Sequence, residues 1–223
     1  MWLAYLLLVY LLAAVPFGLI LTTVFGNEVD LRLAGSGNIG ATNVARVFGW
    51  RIAALALLLD LLKGLLPVLV APLFGLDGLA WATAVAITAF AGHCYPVYLE
   101  FRGGKGVATG AGAMLGIAPI PTLVAGTVWG LLLALSGRSS LASLTATLSL
   151  VGLCAWLLPG ALPATLLLAT GIAITHTPNI RRLVRGEESS VVRPVRLQRR
   201  NNDELTADEA LSQGPAGGES GEW

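Results

Sequence analysis

Three short polar stretches hold most of the residues able to do chemistry. The first is Gly35-Ser36-Gly37-Asn38-Ile39-Gly40-Ala41-Thr42-Asn43, closed by Arg46. Glycines permit positive φ, and backbone N–H groups that converge in such a loop form a nest that binds an anion, most often phosphate or carboxylate. Ser36, Asn38, Thr42 and Asn43 add groups that orient oxygens, and Arg46 adds a forked positive charge. A flexible turn between helices is the plain alternative, but a turn needs no such density of donors beside an arginine. The second stretch is Gly103-Gly104-Lys105-Gly106 with Thr109, and the third is His176-Thr177-Pro178-Asn179-Ile180-Arg181-Arg182. Together they supply hydroxyls, amides, a lysine, arginines and a histidine. That set suits a phosphorylated small molecule held at a membrane surface.

Two tempting motifs fail on context. Gly35, Gly37 and Gly40 match G-x-G-x-x-G, but a dinucleotide site needs a strand before it and a βαβ unit around it, and apolar runs flank it here. In Gly104-Lys105-Gly106, glycine replaces the Ser/Thr that would hold magnesium in a nucleotide loop. No His, Cys and carboxylate cluster has metal-ligand spacing, so no metal or cofactor is expected. Cys94 and Cys154 lie far apart in apolar surroundings and read as buried small residues. His93 reads as a buried, hydrogen-bonded histidine. His176, ending an apolar run, either caps its helix or meets a ligand beside Asn179 and the arginines.

The elements that position these stretches lie in a membrane. Of 223 residues 55% are hydrophobic and only 12% charged, with mean hydropathy +0.75. Soluble domains carry roughly a quarter charged residues, so the composition implies an integral membrane protein. A net charge of +1 excludes general electrostatic attraction to nucleic acid. The apolar runs lack period two and therefore predict helices, giving an all-α polytopic protein. Spans are expected at about 2–25, 52–74, 79–99, 141–158 and 161–175, with a polar loop over 26–51. Residues 107–135 form either one tilted helix or two hinged at Pro119-Ile120-Pro121. Arg32, Arg46, Arg51, Arg102 and Lys105 place the first two polar loops in the cytoplasm, and Arg181, Arg182 and Arg185 do the same for the third. Residues 107–135 must then enter and return. Seven spans result, with the N-terminus outside and the motif loops and C-terminus cytoplasmic. Asp60 and Lys63 lie three apart within a span and should pair across one helix face, in a structural or supporting role. Residues 1–186 form the membrane domain. Residues 187–223 are polar, of mixed charge and rich in glycine near Pro215, the signature of a disordered tail. Its arginines, Arg193 to Arg200, suit anionic lipid headgroups.

The pattern G-S-G-N-I-G-A-T-N-x-x-R, then G-G-K-G-V-A-T, then H-x-x-N-I-R-R-L-x-x-G-x-E resembles the three signature loops of the PlsY family, the bacterial acyl-phosphate:glycerol-3-phosphate acyltransferases. Val15-Pro16-Phe17-Gly18, Asp60-Leu61-Leu62-Lys63-Gly64 and Gly92-His93-Cys94-Tyr95-Pro96 are similar to further family features. The resemblance covers about residue 5 to Glu188. Thr177-Pro178 and Glu187 depart from the usual pattern, and the tail lies outside it. The resemblance implies a multi-pass protein of the bacterial inner membrane that transfers an acyl group from acyl phosphate to the 1-hydroxyl of glycerol 3-phosphate. The products would be lysophosphatidic acid and inorganic phosphate, in phospholipid synthesis. It implies Ser36, Lys105 and His176 as catalytic candidates. Gly37, Asn38, Gly40, Thr42, Asn43, Arg46, Gly103, Gly104, Asn179 and Arg181 are then candidates for substrate binding. Arg46, Lys105 and the amides near Gly37 and Gly40 would hold phosphate, while Ser36, Asn43 and Asn179 would orient hydroxyls or the acyl carbonyl. His176 would either accept the attacking proton or hold a phosphate oxygen. No H-x-x-x-x-D pair of the CoA-dependent acyltransferases is present, since His93 leads to Tyr98 and His176 to Arg181.

Overall fold

The computed structural model describes residues 1–25 and 30–191, and all regular structure among them is helical. Pro16 has no N–H to continue a helix, and it divides the first apolar run into α1 (Trp2–Ala13) and α2 (Phe17–Phe25). The polar loop that follows is not loop throughout. Residues Ala41–Phe48 form α3, a short helix with buried Asn43, Val44 and Arg46. Gly49 (φ 87°) separates it from α4 (Trp50–Val70). Helix α5 (Leu79–Cys94) then leads to the lysine loop, which continues into α6 (Val107–Ile117).

The expected hinge is present. Ala118 leaves helical geometry (φ −140°, ψ 71°), and Pro119 opens α7 (Pro119–Ser136), the position where a missing N–H costs nothing. Gly137, in the left-handed region, turns the chain into α8 (Ser139–Leu157). Helices α9 (Leu162–Thr175) and α10 (Thr177–Val184) meet at His176 with a 64° bend.

The bundle is an integral membrane fold. Trp2–Phe25, Trp50–Phe74, Leu79–Leu99, Pro119–Ser136 and Ser139–Leu157 are each long and apolar enough to cross a bilayer. The other two apolar segments are shorter. Helix α6 has 11 residues, about 16 Å at 1.5 Å per residue against a hydrocarbon core of about 30 Å. Small residues let helices approach closely, as is usual in membranes. A Cβ on Gly64 of α4 would collide with the Thr109 carbonyl, and one on Gly112 of α6 with the Leu61 carbonyl. These two contacts fix α6, and the lysine loop before it, against the middle of α4.

The packed body continues past residue 186. Glu187 N donates to Arg182 O (2.8 Å), Glu188 is buried, and Val191 N donates to Gly137 O (2.8 Å). Residues 187–191 thus form a strap over the start of α8, where the sequence places them in the tail. The rest of that tail, 192–223, lies outside the described residues.

Candidate active site

The start of α3, the starts of α6 and α8, His93 at the end of α5, and the α9–α10 bend converge at one end of the bundle. They enclose a cleft with about 1150 Å³ of empty space, its open mouth included. Of the sequence candidates, Ser36, Asn38, Gly40, Thr42, Asn43, Arg46, Lys105, His176 and Asn179 line it. Three distant motifs therefore build one site.

The glycine loop works differently from an open nest of amides. Gly37 N donates to Ala34 O (3.0 Å), Gly40 N to Asn38 Oδ1 (2.8 Å) and Ser36 N to Asn43 Oδ1 (2.8 Å). The Gly37, Gly40 and Ser36 amides are thus engaged within the loop. Gly37 is also absent from the cleft wall. Asn43 lines the cleft and also holds the loop together. Its Nδ2 donates to Leu31 O (3.2 Å) and Ala34 O (2.9 Å), so it staples the loop. Gly35 and Gly37 have φ of 62° and 70°, and a Cβ on Gly35 would collide with Asn43 Oδ1. What the loop offers a ligand is the start of α3, whose dipole favours an anion, with Ser36 at the mouth and Arg46 behind. Thr42 Oγ1 and Ser139 Oγ lie 2.9 Å apart and join α3 to α8. Arg46 Nη2 donates to Ser189 O (3.3 Å), while its Nε is buried without a partner among the described residues.

Gly103 and Gly104 also hold structure rather than ligand. Their N–H groups donate to Cys94 O (3.0 Å) and His93 O (3.1 Å), the free carbonyls at the end of α5. Neither lines the cleft, contrary to the sequence expectation. Their task is to bring Lys105 to the wall. Burial pulls the Lys105 ammonium down to about 8; Glu188 opposes the shift, and Arg182 and Arg46 reinforce it.

His176 Nδ1 lies 2.9 Å from Ile172 O. A carbonyl only accepts, so Nδ1 carries the hydrogen and Nε2 is left as an acceptor. Burial first, then the Lys105 charge, lowers its pKa to about 4, leaving a neutral ring at neutral pH. Asn179 Nδ2 donates to Glu188 Oε1 (2.6 Å), and its buried Oδ1 has no partner among the described residues. Arg181 is exposed and off the cleft. Arg182 takes the place expected for it, with Nε 2.7 Å from Glu188 Oε2. Glu188, not singled out as a site residue, receives three hydrogen bonds, from Ser140 (2.6 Å), Asn179 and Arg182. Burial works against its charge, but these donors outweigh it and hold the carboxyl below its usual range. Its place in the third motif is the signal that could have found it. Ser139, Ser140 and Ser143 were also missed. A polar pair beside Arg138 at the head of an apolar helix is the only hint of them.

An apolar groove of about 560 Å³ runs on between α6, α7, α8 and α9. It shares Val107, Ala111, Gly126, Trp129 and Ser143 with the cleft, and its far walls include Met114, Leu150, Leu168 and Ile172. Trp129 Nε1 donates to Ser143 Oγ (3.1 Å) at the junction. A charged head and an aliphatic tail of one ligand fit the two compartments.

Comparison with known proteins agrees with this architecture. A family model described as glycerol-3-phosphate acyltransferase matches residues 3–186. A glycerol-3-phosphate acyltransferase of Pseudomonas aeruginosa (strain LESB58) is 50% identical over 186 residues, covering 82% of this chain and 95% of that protein. One from Solidesulfovibrio magneticus is 47% identical over 188 residues, covering 84% and 94%. The crystal structure of PlsY (YgiH), an integral membrane glycerol 3-phosphate acyltransferase, in its glycerol 3-phosphate form has a TM-score of 0.77 and 37% identity. It covers 85% of this chain and 94% of that one. The lysophosphatidic acid form gives 0.74 and 36%, with the same coverage. With cleft, groove and relatives in agreement, this chain belongs to the glycerol-3-phosphate acyltransferase family, of the PlsY type.

Proposed function

We propose that the chain transfers a fatty acyl group from acyl phosphate to the 1-hydroxyl of glycerol 3-phosphate, at the cytoplasmic face of the inner membrane. The observation that carries this reading is the cationic cleft opening directly into an apolar groove. Arg46, Lys105 and Arg182 provide charge for two phosphates, and the groove takes the acyl tail. The acceptor hydroxyl oxygen attacks the acyl carbonyl carbon, the carbon–oxygen bond to phosphate breaks, and the departing phosphate takes the hydroxyl proton. An acyl phosphate is already activated, so the step needs neither a covalent relay nor a strong base. A histidine held near pKa 4 is a weak base at neutral pH. His176 Nε2 and Asn179 Oδ1 therefore accept hydrogen bonds from the glycerol hydroxyls and orient them. Among the described residues no aspartate–histidine pair hydrogen-bonds Ser36 to make it a nucleophile, and it acts as a hydrogen-bonding group at the mouth.

The test uses purified protein with palmitoyl phosphate and glycerol 3-phosphate. Release of phosphate together with lysophosphatidic acid is the expected result, unaffected by a strong chelator. Efficient use of palmitoyl-CoA instead would overturn the donor assignment. Labelled palmitoyl phosphate alone should leave no label on the denatured protein, and stoichiometric label on Ser36 would replace direct transfer by an acyl-enzyme route.

A further inference from the structure

Asp60, Lys63 and His93 form a buried group that the reaction as described does not use. Lys63 Nζ is 2.9 Å from Asp60 Oδ1 and donates to Val15 O (2.9 Å), a carbonyl at the α1–α2 break that also accepts from Phe17 N (3.1 Å). It also sits 5.5 Å from the centre of the Phe17 ring. On the other side of Asp60, His93 Nδ1 lies 3.6 Å from Oδ1, too far for a direct hydrogen bond but close enough for the carboxylate to orient the ring. All three side chains are more than nine-tenths buried. A buried ion pair is weak evidence for a role in stability, which leaves orientation of its neighbours as a use to test.

The ring so oriented meets the lysine loop. A Cβ on Gly104 would collide with His93 Nε2, which places the Nε2 edge of the imidazole against the glycine before Lys105. The same residue's carbonyl accepts from Gly104 N (3.1 Å), so main chain and ring of His93 hold one peptide from two sides. Gly106 is fixed in turn at φ 77°, with a Cβ there colliding with the Phe90 ring.

We propose that His93 is the positioning residue for Lys105, with its ring oriented by Asp60 and Asp60 held in turn by Lys63, which ties the group to the break in the first span. The proposal rests on the role given to Lys105 above. His93 also reaches the cleft wall; the role assigned to it here is carried by the loop.

The test compares wild type, His93→Ala, Gly104→Ala and the double variant in kcat/KM for glycerol 3-phosphate, with pH profiles for the first two. Gly104→Ala alone should cost at least about tenfold, because the added methyl displaces the ring. In the His93→Ala background it should cost less than about twofold, since the ring is gone. His93→Ala should itself lose at least about tenfold. It should also move the alkaline limb of the profile upward by about half a pH unit or more, as the loosened lysine gains water. The other groups acting on that lysine, Glu188, Arg182 and Arg46, are untouched in this variant. An unmoved limb, a Gly104→Ala penalty equal in both backgrounds, or near-wild-type kinetics for His93→Ala would each overturn the proposal. If His93→Ala does not fold, His93→Gln is read in the same cycle, and failure of both to fold assigns the ring to stability and sinks the idea. Lys105→Ala is the control. Its full activity would overturn the Lys105 role and this proposal together, whereas a dead Lys105→Ala with additive His93 effects overturns this proposal only.

Discussion

Two asparagines of the cleft differ in what their neighbours leave free. Asn43 uses its amide nitrogen and oxygen to tie Ser36, Leu31 and Ala34 together, while Asn179 has a buried oxygen with no partner among the described residues. Asn43→Ala should therefore act on the fold first. Unpaired buried groups cost about 1–3 kcal/mol each, so a lower Tm in detergent should accompany lost turnover. An unchanged Tm would contradict the stapling role. In the proposed reaction Arg46→Ala removes a charge-assisted contact to phosphate, worth roughly 1.5–3 kcal/mol, about ten- to more than hundredfold in kcat/KM. Lys105 makes a prediction about pH. In the proposed reaction its ammonium must be protonated to attract phosphate, and burial pulls it down to about 8. The value of kcat/KM for glycerol 3-phosphate reports free-enzyme groups, so it should fall with rising pH through about 8. Lys105→Arg, always charged, should abolish that limb while remaining impaired, because a planar fork fills a glycine pocket differently. A wild-type profile flat to pH 9 would remove Lys105 from phosphate binding.

At the scale of elements, the strap after α10 closes the site. Glu188 joins Ser140 of α8 to Asn179 and Arg182 of α10, and Ser189 O receives Arg46 from α3. Truncation after Gly186 should abolish turnover and loosen α10 against α8, whereas truncation after Val191 should leave turnover near wild type. Equal activity of the two proteins would show that the strap is dispensable. The strap was hidden in the sequence because polar residues of mixed charge read as tail unless their partners are known, and those partners lie 48 residues away in the case of Ser140. The apolar runs were legible, since lipid leaves the backbone few alternatives to helix, and the Pro119 hinge was legible from the missing N–H. Helix α3 was not. Its eight residues begin inside a glycine-rich stretch and bury only a narrow apolar face. Nor could sequence choose between Arg181 and Arg182. Adjacent helical residues point about 100° apart, and only the packing of α10 sets which one meets Glu188.

For the whole molecule, a soluble phosphate and a lipid tail must reach the same carbon, which explains why the cleft and groove share a wall. The cleft lies where helix ends supply dipoles, arginines and a lysine, and the groove runs between helices whose facing residues are small, among them Ala125, Ala146 and Ala169. Trp129, bonded to Ser143, stands at the junction, and in the proposed reaction the acyl carbonyl lies near that pair with the chain extending past Ala146. Ala146 lines the groove but not the cleft. Replacing it by Phe should shorten the groove and leave the phosphate site intact. Overpacking costs about 1–3 kcal/mol of stability, so a modest fall in Tm is expected. The informative quantity is the ratio of kcat/KM for palmitoyl phosphate to that for octanoyl phosphate. It should drop by about tenfold or more in Ala146→Phe, with KM for glycerol 3-phosphate unchanged, because only the longer chain reaches the new ring. Equal losses with both donors would mean that the acyl chain leaves the cleft by another route.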